Sequence, residues 1–338
     1  MKTTEKIVFV LGAGFSKPAG LPLQKELLEK ILKLEAPDIN MEFELVRSDL
    51  KKFIERSFGN VEPKNLSLED LFTIFDRAII NKENFISYEW KKLFEIKEEL
   101  IHAIILTIDY YMEKSQEKIP KFYSTFANYI MNSTGEMVPS VVSLNWDSFL
   151  EYILYKHNSK IFIDYCTYAY KLNGEEVKYN ESRDKRIKIL KPHGSINWLY
   201  CPNCGRLFID ENKSIGIEDK IKCKFCNNNG SNIYLNNLII TPTMLKDLMS
   251  LHIKNIWQNM FLELQSAHRI VFIGYSFPIA DYEIRYILRK AISTDAKVEV
   301  VFKNESKKTT DRYKNFFGDS IEIYNEGVEK WVQTKIKK

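Results

Sequence analysis

No apolar run in this 338-residue chain approaches the length of a membrane span. The longest stretches, such as LIHAIILTI at 100–108, fall well short of the ~20 apolar residues required and carry helical rather than continuous patterning. A soluble protein is therefore expected. Strong net charge is missing too. Forty-nine basic against 45 acidic residues leave +4, spread along the chain apart from SRDKRIKILK at 182–191 and the terminal KIKK. Such runs are ordinarily solvated faces, so direct nucleic-acid contact is not expected. There is no internal repeat and no low-complexity linker. The lysine and IVFVL near the start superficially resemble a secretion leader, but the run is short and ends in a glycine turn instead of a cleavage site, so a cytoplasmic location is expected. In a chain without a leader, five cysteines, four of them in two CxxC pairs, favour a metal over disulfides.

What is present begins with KIVFVLGAGFSKPAGLP at 6–22. A β-type run from Ile7 to Leu11 empties into Gly12-Ala13-Gly14. A helix pattern with Leu23, Leu27, Ile31 and Leu34 on one face starts just past Pro22. From 41 to 133 the chain reads as helix after helix: EFELVRSDLKKFIERSF, LEDLFTIFDRAIIN, YEWKKLFEIKEELIHAIILTIDYYMEKSQ and FYSTFANYIMN. VPSVVSLNW then returns to strand residues, followed by the helical DSFLEYILYKH. IKILK, NLIIT, RIVFIGYS, KVEVVFK and IEIYN are further buried-strand candidates, the later ones separated by helices at 246–266 and 280–293. Short apolar strands alternating with helices predict an α/β fold: a doubly wound, mostly parallel, Rossmann-like sheet with a helical insertion at 41–133. With 45% apolar residues the chain can bury a real core.

The chemistry-bearing residues fall at the carboxyl ends of these strands, the edge where open α/β sheets bind ligands. Gly12, Ala13 and Gly14, with the Ser16 hydroxyl, suit a strand-to-helix turn that accepts an anion, although an unliganded tight turn has the same residues. The spacing is not that of dehydrogenases, since the next glycine is Gly20 and no acidic residue ends a second strand about twenty residues on. Asn145 and Asp147 follow VVS. Asp147 could simply cap the next helix, whereas Asn145 precedes the capping position. His193, Gly194 and Ser195 follow IKIL, and an imidazole there suits proton transfer near neutrality. Gly274 and Ser276 form a second glycine turn, with Asp281 near the next helix start, and Asn304 ends another strand. Cys201, Cys204, Cys223 and Cys226 give C-x2-C-x18-C-x2-C, the spacing of a four-thiolate zinc site, within a small zinc-ribbon-like module at 198–230. A closed site of that kind is structural. Cys166 is left over as a core thiol.

The order GAG, N-x-D, HGS, paired cysteines, GYS and a strand-terminal asparagine resembles the sirtuin (Sir2-type) family over about 6–20 and 138–305. Sirtuins cleave NAD between nicotinamide and ribose. The resemblance implies that Gly12, Ala13, Gly14 and Ser16 line the dinucleotide and that Asp147 and Asn145 lie near the nicotinamide ribose. It further implies His193 as general base, Gly274, Ser276 and Asn304 at the phosphates and adenosine ribose, and one catalytic domain over 1–338. Departures matter as well: GLPLQK stands where deacetylases have a Pro-Asp-Phe-Arg type segment, Leu144 replaces a glutamine, Trp146 replaces an isoleucine, and typical sirtuins lack the helical stretch. These features look like the sirtuin-like NADases of bacterial antiphage systems. The expectation is thus an NAD+ glycohydrolase with structural Zn2+, gated by homo-oligomerisation or by an ATPase or other phage-sensing partner. The zinc pairs match protein deacylases better, so an NAD-dependent lysine deacylase is the first alternative, and a non-catalytic NAD-binding scaffold the second.

Overall fold

All five residues of β1 (Ile7–Leu11) are buried, as a continuous rather than alternating apolar run requires of a strand covered on both faces. The computed structural model describes residues 5–34, 41–59, 61–133, 138–179, 185–210, 221–227, 232–245, 250–304 and 307–336. After β1 the strands are β2 (Ser140–Ser143), β3 (Ile161–Asp164), β4 (Ala169–Lys171), β5 (Lys185–Leu190), β6 (Gly194–Tyr200), β7 (Leu207–Ile209), β8 (Asn236–Ile239), β9 (Arg269–Ile273), β10 (Lys297–Val301) and β11 (Glu322–Tyr324). Seven of them form a parallel sheet in the order β11-β10-β9-β1-β2-β5-β3. The chain lays β2, β5 and β3 on one side of β1, then crosses back to place β9, β10 and β11 on the other. The order reverses between β1 and β9, which makes their carboxyl ends the switch point of the sheet.

The helices are α1 (Gln24–Lys33), α2 (Met41–Phe58), α3 (Leu68–Asn81), α4 (Trp90–Ser115), α5 (Phe122–Asn132), α6 (Phe149–His157), α7 (Leu251–Gln265), α8 (Tyr282–Ala291), α9 (Lys307–Phe317) and α10 (Val328–Trp331). Between β1 and β2 stand α1 to α5, and α3 starts where Ser67 caps it, its hydroxyl accepting from the Asp70 amide at 3.0 Å. Phe53 and Phe75 meet with ring centroids 5.0 Å apart, joining α2 to α3. α5 ties this layer to the sheet, because Phe126 packs edge-on against Phe9 of β1 at 5.1 Å. α7 covers the other face. Its Glu263 carboxylate accepts from the Ser140 hydroxyl and pairs with Lys6 and Lys188, bracing the neighbouring strands. Those three donors hold the Glu263 carboxyl down to about 2 against the opposing effect of burial. Ser140 is in register with Val8, and Val8 and Phe9 point to opposite faces, so α5 and α7 lie on opposite sides. Among the described residues no helix is long and apolar enough to cross a membrane.

Two strands differ from expectation. NLIIT does form β8, but not in the main sheet. β8 pairs antiparallel with β6 in a second sheet of order β4-β7-β6-β8. Gly194 and Ser195, read as a loop after IKIL, open β6 itself. Local apolarity marks a strand without saying which sheet receives it. β3, β4, β7 and α9 lacked a strong enough local pattern to be singled out. Of the helix expected at 246–266, residues 246–249 lie outside the described residues, as do 211–220 and 228–231 around and within the expected cysteine module.

Candidate active site and metal centre

β1 and β9 are hydrogen-bonded neighbours, and both run into glycine. The Gly12 amide donates to the Ile273 carbonyl and the Gly14 amide to the Gly274 carbonyl, each at 2.9 Å. A Cβ on Gly14 would lie 2.6 Å from the Gly274 Cα, and one on Gly274 only 2.3 Å from the Gly14 carbonyl carbon. Gly274 also has φ +64°. The glycines are thus required by the approach of the two turns to each other, independently of any ligand above them. Gly274→Ala should cost about 2 kcal/mol or more, from the left-handed backbone and the collision together. A chemical-denaturation midpoint for the variant checks this, and an unchanged midpoint would contradict it.

Above the switch point lies a cavity of about 740 Å³, within the range of small-molecule sites. Its lining follows the carboxyl edge of the sheet. It runs from Glu326 and Asn304, past Gly12, Ala13, Gly14, Gly274 and Ser276, to Asn145, Asp147 and His193. These residues come from both sides of β1, and only the crossover connection brings them together. Ser16 differs from the other candidates. It is buried below the cavity wall, and its hydroxyl donates to the Asp147 carboxylate at 3.2 Å.

His193 is nearly enclosed. Its Nδ1 lies 3.4 Å from the Leu144 carbonyl and its Nε2 3.6 Å from Asp281 Oδ1. The second Asp281 oxygen accepts from the Tyr275 hydroxyl at 2.9 Å, and burial with that carboxylate beside it raises the Tyr275 phenol well above its usual value. Asn145 donates from Nδ2 to the Gly12 carbonyl at 3.1 Å, locking the loop after β2 onto the first glycine turn. Asp147 has both roles considered for it: its carboxylate accepts from the Phe149 amide at 3.1 Å, at the start of α6, and it also lines the cavity.

Burial pushes the Asp147 carboxyl up to about 6, with Lys191 and the Phe149 amide pulling the other way. The folded value thus lies above the ordinary 3.8, so folding takes up a proton between the two. The resulting penalty is absent below the unfolded pKa, grows as pH rises and is complete above the folded pKa. Asp147→Asn should therefore stabilise the protein by up to about 3 kcal/mol above about pH 6 and change little near pH 4. Melting temperatures of both proteins across that range test this. A gap independent of pH would contradict it.

The four cysteines come together. All four sulfurs lie within 4.8 Å of one another, with Cys201 and Cys226 at 3.7 Å and Cys204 and Cys223 at 3.8 Å. A tetrahedral tetrathiolate zinc with Zn–S about 2.3 Å has an edge of about 3.8 Å, so the donor set fits that ion. Cys201 follows β6, and the Cys204 amide points at its sulfur at 3.4 Å. His252 on α7 braces this knuckle, with Nε2 2.6 Å from the Gly205 carbonyl and Nδ1 2.8 Å from the Thr167 hydroxyl. Burial lowers its pKa. Cys166 is only partly buried, and burial together with Asp164 pushes its thiol up to about 12.

Two features of the site escaped the sequence, and a third, the role of the helical insertion, was open between covering the site, forming an oligomer surface and simply supporting the sheet. In the sequence Lys191 is only the end of IKILK, yet its side chain is wholly buried beside Asp147. Asp281 gave no sign that it faces His193. The helical insertion supplies one wall, from Lys64 to Glu69 and Ile108, and Gln24 of α1 donates to Glu69 Oε1 at 3.3 Å. No local pattern distinguishes such a wall from an ordinary supporting layer.

A family model described as a SIR2-like domain matches residues 139–317, a little over half of the chain. Among solved structures, a Sir2 complex with a p53 peptide and NAD+ is 13% identical, with 99% of this chain and 93% of that chain covered and a TM-score of 0.48. A Sir2 homologue in complex with NAD is 13% identical, with 99% and 88% covered and a TM-score of 0.47. Sir2Tm bound to a propionylated peptide is 13% identical, with 98% and 92% covered and a TM-score of 0.47. No curated protein matches the chain in sequence.

Proposed function

As this chain belongs to the SIR2-like domain family, we propose that its cavity binds NAD+ and hydrolyses it to nicotinamide and ADP-ribose. Family membership supports NAD-dependent chemistry in general. The observation that carries the finer reading is the grouping of Asn145, Asp147 and His193 on the wall of the cavity that also spans the two glycine turns. The turns, with Ser276, take the pyrophosphate, Asn304 the adenosine ribose, and the other end of the cavity the nicotinamide ribose. The reaction breaks the C1′–N bond, whose electron pair leaves with nicotinamide. Because that group departs neutral, no general acid is needed. His193 accepts the proton of the water that forms the new C1′–O bond, and Asn145 and Asp147 hold the ribose and face its developing positive charge. We read the chain as one catalytic domain, with a structural zinc in the four-cysteine module.

Water is favoured over acyl-lysine by the residues that line the cavity in place of deacetylase features: Leu144, Trp146, Gln24 and Lys25, and the wall at 64–69. The four-cysteine module favours the second reading, an NAD-dependent lysine deacylase. Product analysis of the full chain with NAD+, with and without an acylated lysine peptide, separates them. Turnover to ADP-ribose without peptide supports hydrolysis, strict peptide dependence with acyl transfer supports deacylation, and binding without turnover under every activating condition supports a scaffold. Uncontrolled hydrolysis would drain the host of NAD+. We therefore also propose a gate, by homo-oligomerisation or by an ATPase or other phage-sensing partner, and a role in antiphage defence. Assays with the genomic neighbour present test that part.

A further inference from the structure

Lys191 has a wholly buried side chain. An ammonium is costly to bury unless acceptors surround it. Here it donates to the Asp147 main-chain carbonyl at 2.6 Å and to Glu151 Oε1 at 3.1 Å, and the Tyr165 hydroxyl donates to the same Glu151 oxygen at 3.4 Å. The Lys191 main chain is engaged as well: its carbonyl accepts from the Gly194 amide at 3.0 Å and closes the turn that carries His193. One residue therefore grips two loops, its backbone the one after β5 and its side chain the one after β2. Next to it the Ser195 hydroxyl and the Ile196 amide both donate to the Trp146 carbonyl, at 3.1 and 3.0 Å. The loops are thus stitched together at Trp146 and Asp147. An apolar residue would fill the same space without the desolvation cost of the charge, so the charge is explained by what it holds.

We propose that Lys191, neutralised by Glu151, is a positioning residue that sets the loop bearing Asn145 and Asp147 at its working distance from His193. The proposal rests on the reading of the cavity as an NAD+-cleaving site. Neither Lys191 nor Glu151 lines the cavity, so their effect should fall on turnover more than on ligand affinity.

Lys191→Met alone strands the Glu151 carboxylate in the interior and should destabilise the fold. The decisive protein is the double variant Lys191→Met/Glu151→Leu, which removes both charges and keeps the volume filled. The measurements are melting temperature, ADP-ribose affinity by calorimetry, and kcat and KM for NAD+, on full-length protein beside the parent. With melting retained, kcat should fall about 10²-fold, the scale of a small misplacement of reacting groups. ADP-ribose affinity should fall by no more than about tenfold, because the contacts assigned to the glycine turns, Ser276 and Asn304 are left in place and only those of the displaced loop weaken. A folded double variant whose kcat is within about threefold of the parent overturns the proposal, as losing nothing in the transition state means the pair is only structural. A double variant that does not fold overturns it too, since the pair then serves the fold itself. A parent that cleaves no NAD+, alone or with its partner, overturns the reading of the site instead, and the proposal falls with it.

Discussion

Alanine at His193 should lower NAD+ cleavage by about 10²- to 10⁴-fold, the range associated with a positioned general base. The imidazole lies between the Leu144 carbonyl and Asp281 and lines the cavity beside Asn145 and Asp147. Among the described residues lining the cavity it is the one imidazole. The loss should appear in kcat, with ADP-ribose affinity nearly unchanged, because the glycine turns and Asn304 are untouched. Asn145→Ala should be less selective. Its amide holds the Gly12 carbonyl at 3.1 Å, so removing it disturbs the turn proposed to take the dinucleotide as well as the proposed ribose contact, and KM should rise while kcat falls. Steady-state kinetics with quantified nicotinamide release decide both. A His193→Ala protein with parental kcat and intact fold would remove the imidazole from the mechanism and leave hydrolysis without its base.

Loss of zinc should produce the largest change in stability. Structural zinc in small modules has apparent binding free energies of about 10–16 kcal/mol, which are folding free energy because the site does not exist in the unfolded chain. The module here has a small apolar cluster of its own, in which Cys201 and Cys223 are themselves the buried members beside Leu199 and Phe208. Without an ion the sulfurs have little to hold them 3.7 to 3.8 Å apart. Metal analysis should therefore find about one zinc per chain, and a strong chelator or Cys223→Ser should lower the melting temperature sharply. Turnover should fall with it. β6 begins at Gly194, next to His193, and leads directly into Cys201, so disorder at the metal end should be transmitted along one strand to His193. A protein free of zinc with unchanged melting and turnover would refute both the structural role and the coupling.

The motifs were legible because each depends on short-range chemistry. The run Ile7–Leu11 before Gly12 announces a buried strand and a turn that tolerates no side chain, and the CxxC pairs announce a metal through spacing alone. Helices α3 and α5 begin and end at the residues expected, since amphipathic periodicity is local. Harder to read was the use of each glycine. Gly12, Gly14 and Gly274 have the pattern of an approach to phosphate, yet Gly14 and Gly274 first meet each other and Gly12 first meets the Tyr275 backbone across the switch point. The same limit applies to β8, whose apolar residues suited the main sheet but pair with β6.

By itself, then, the sequence determined the alternation of strands and helices, the zinc-type cysteine set, and the family of motifs centred on Asn145, Asp147 and His193. These rest on periodicity, turn chemistry and ligand spacing, which act over a few residues. Only the tertiary structure decided that Lys191 reaches the Asp147 carbonyl, that Asp281 stands beside His193, and that residues 64–69 wall the cavity. Such contacts join residues 40 or more positions apart or on separate elements. They are set by the crossover at β1 and by burial, neither of which leaves a local pattern to read.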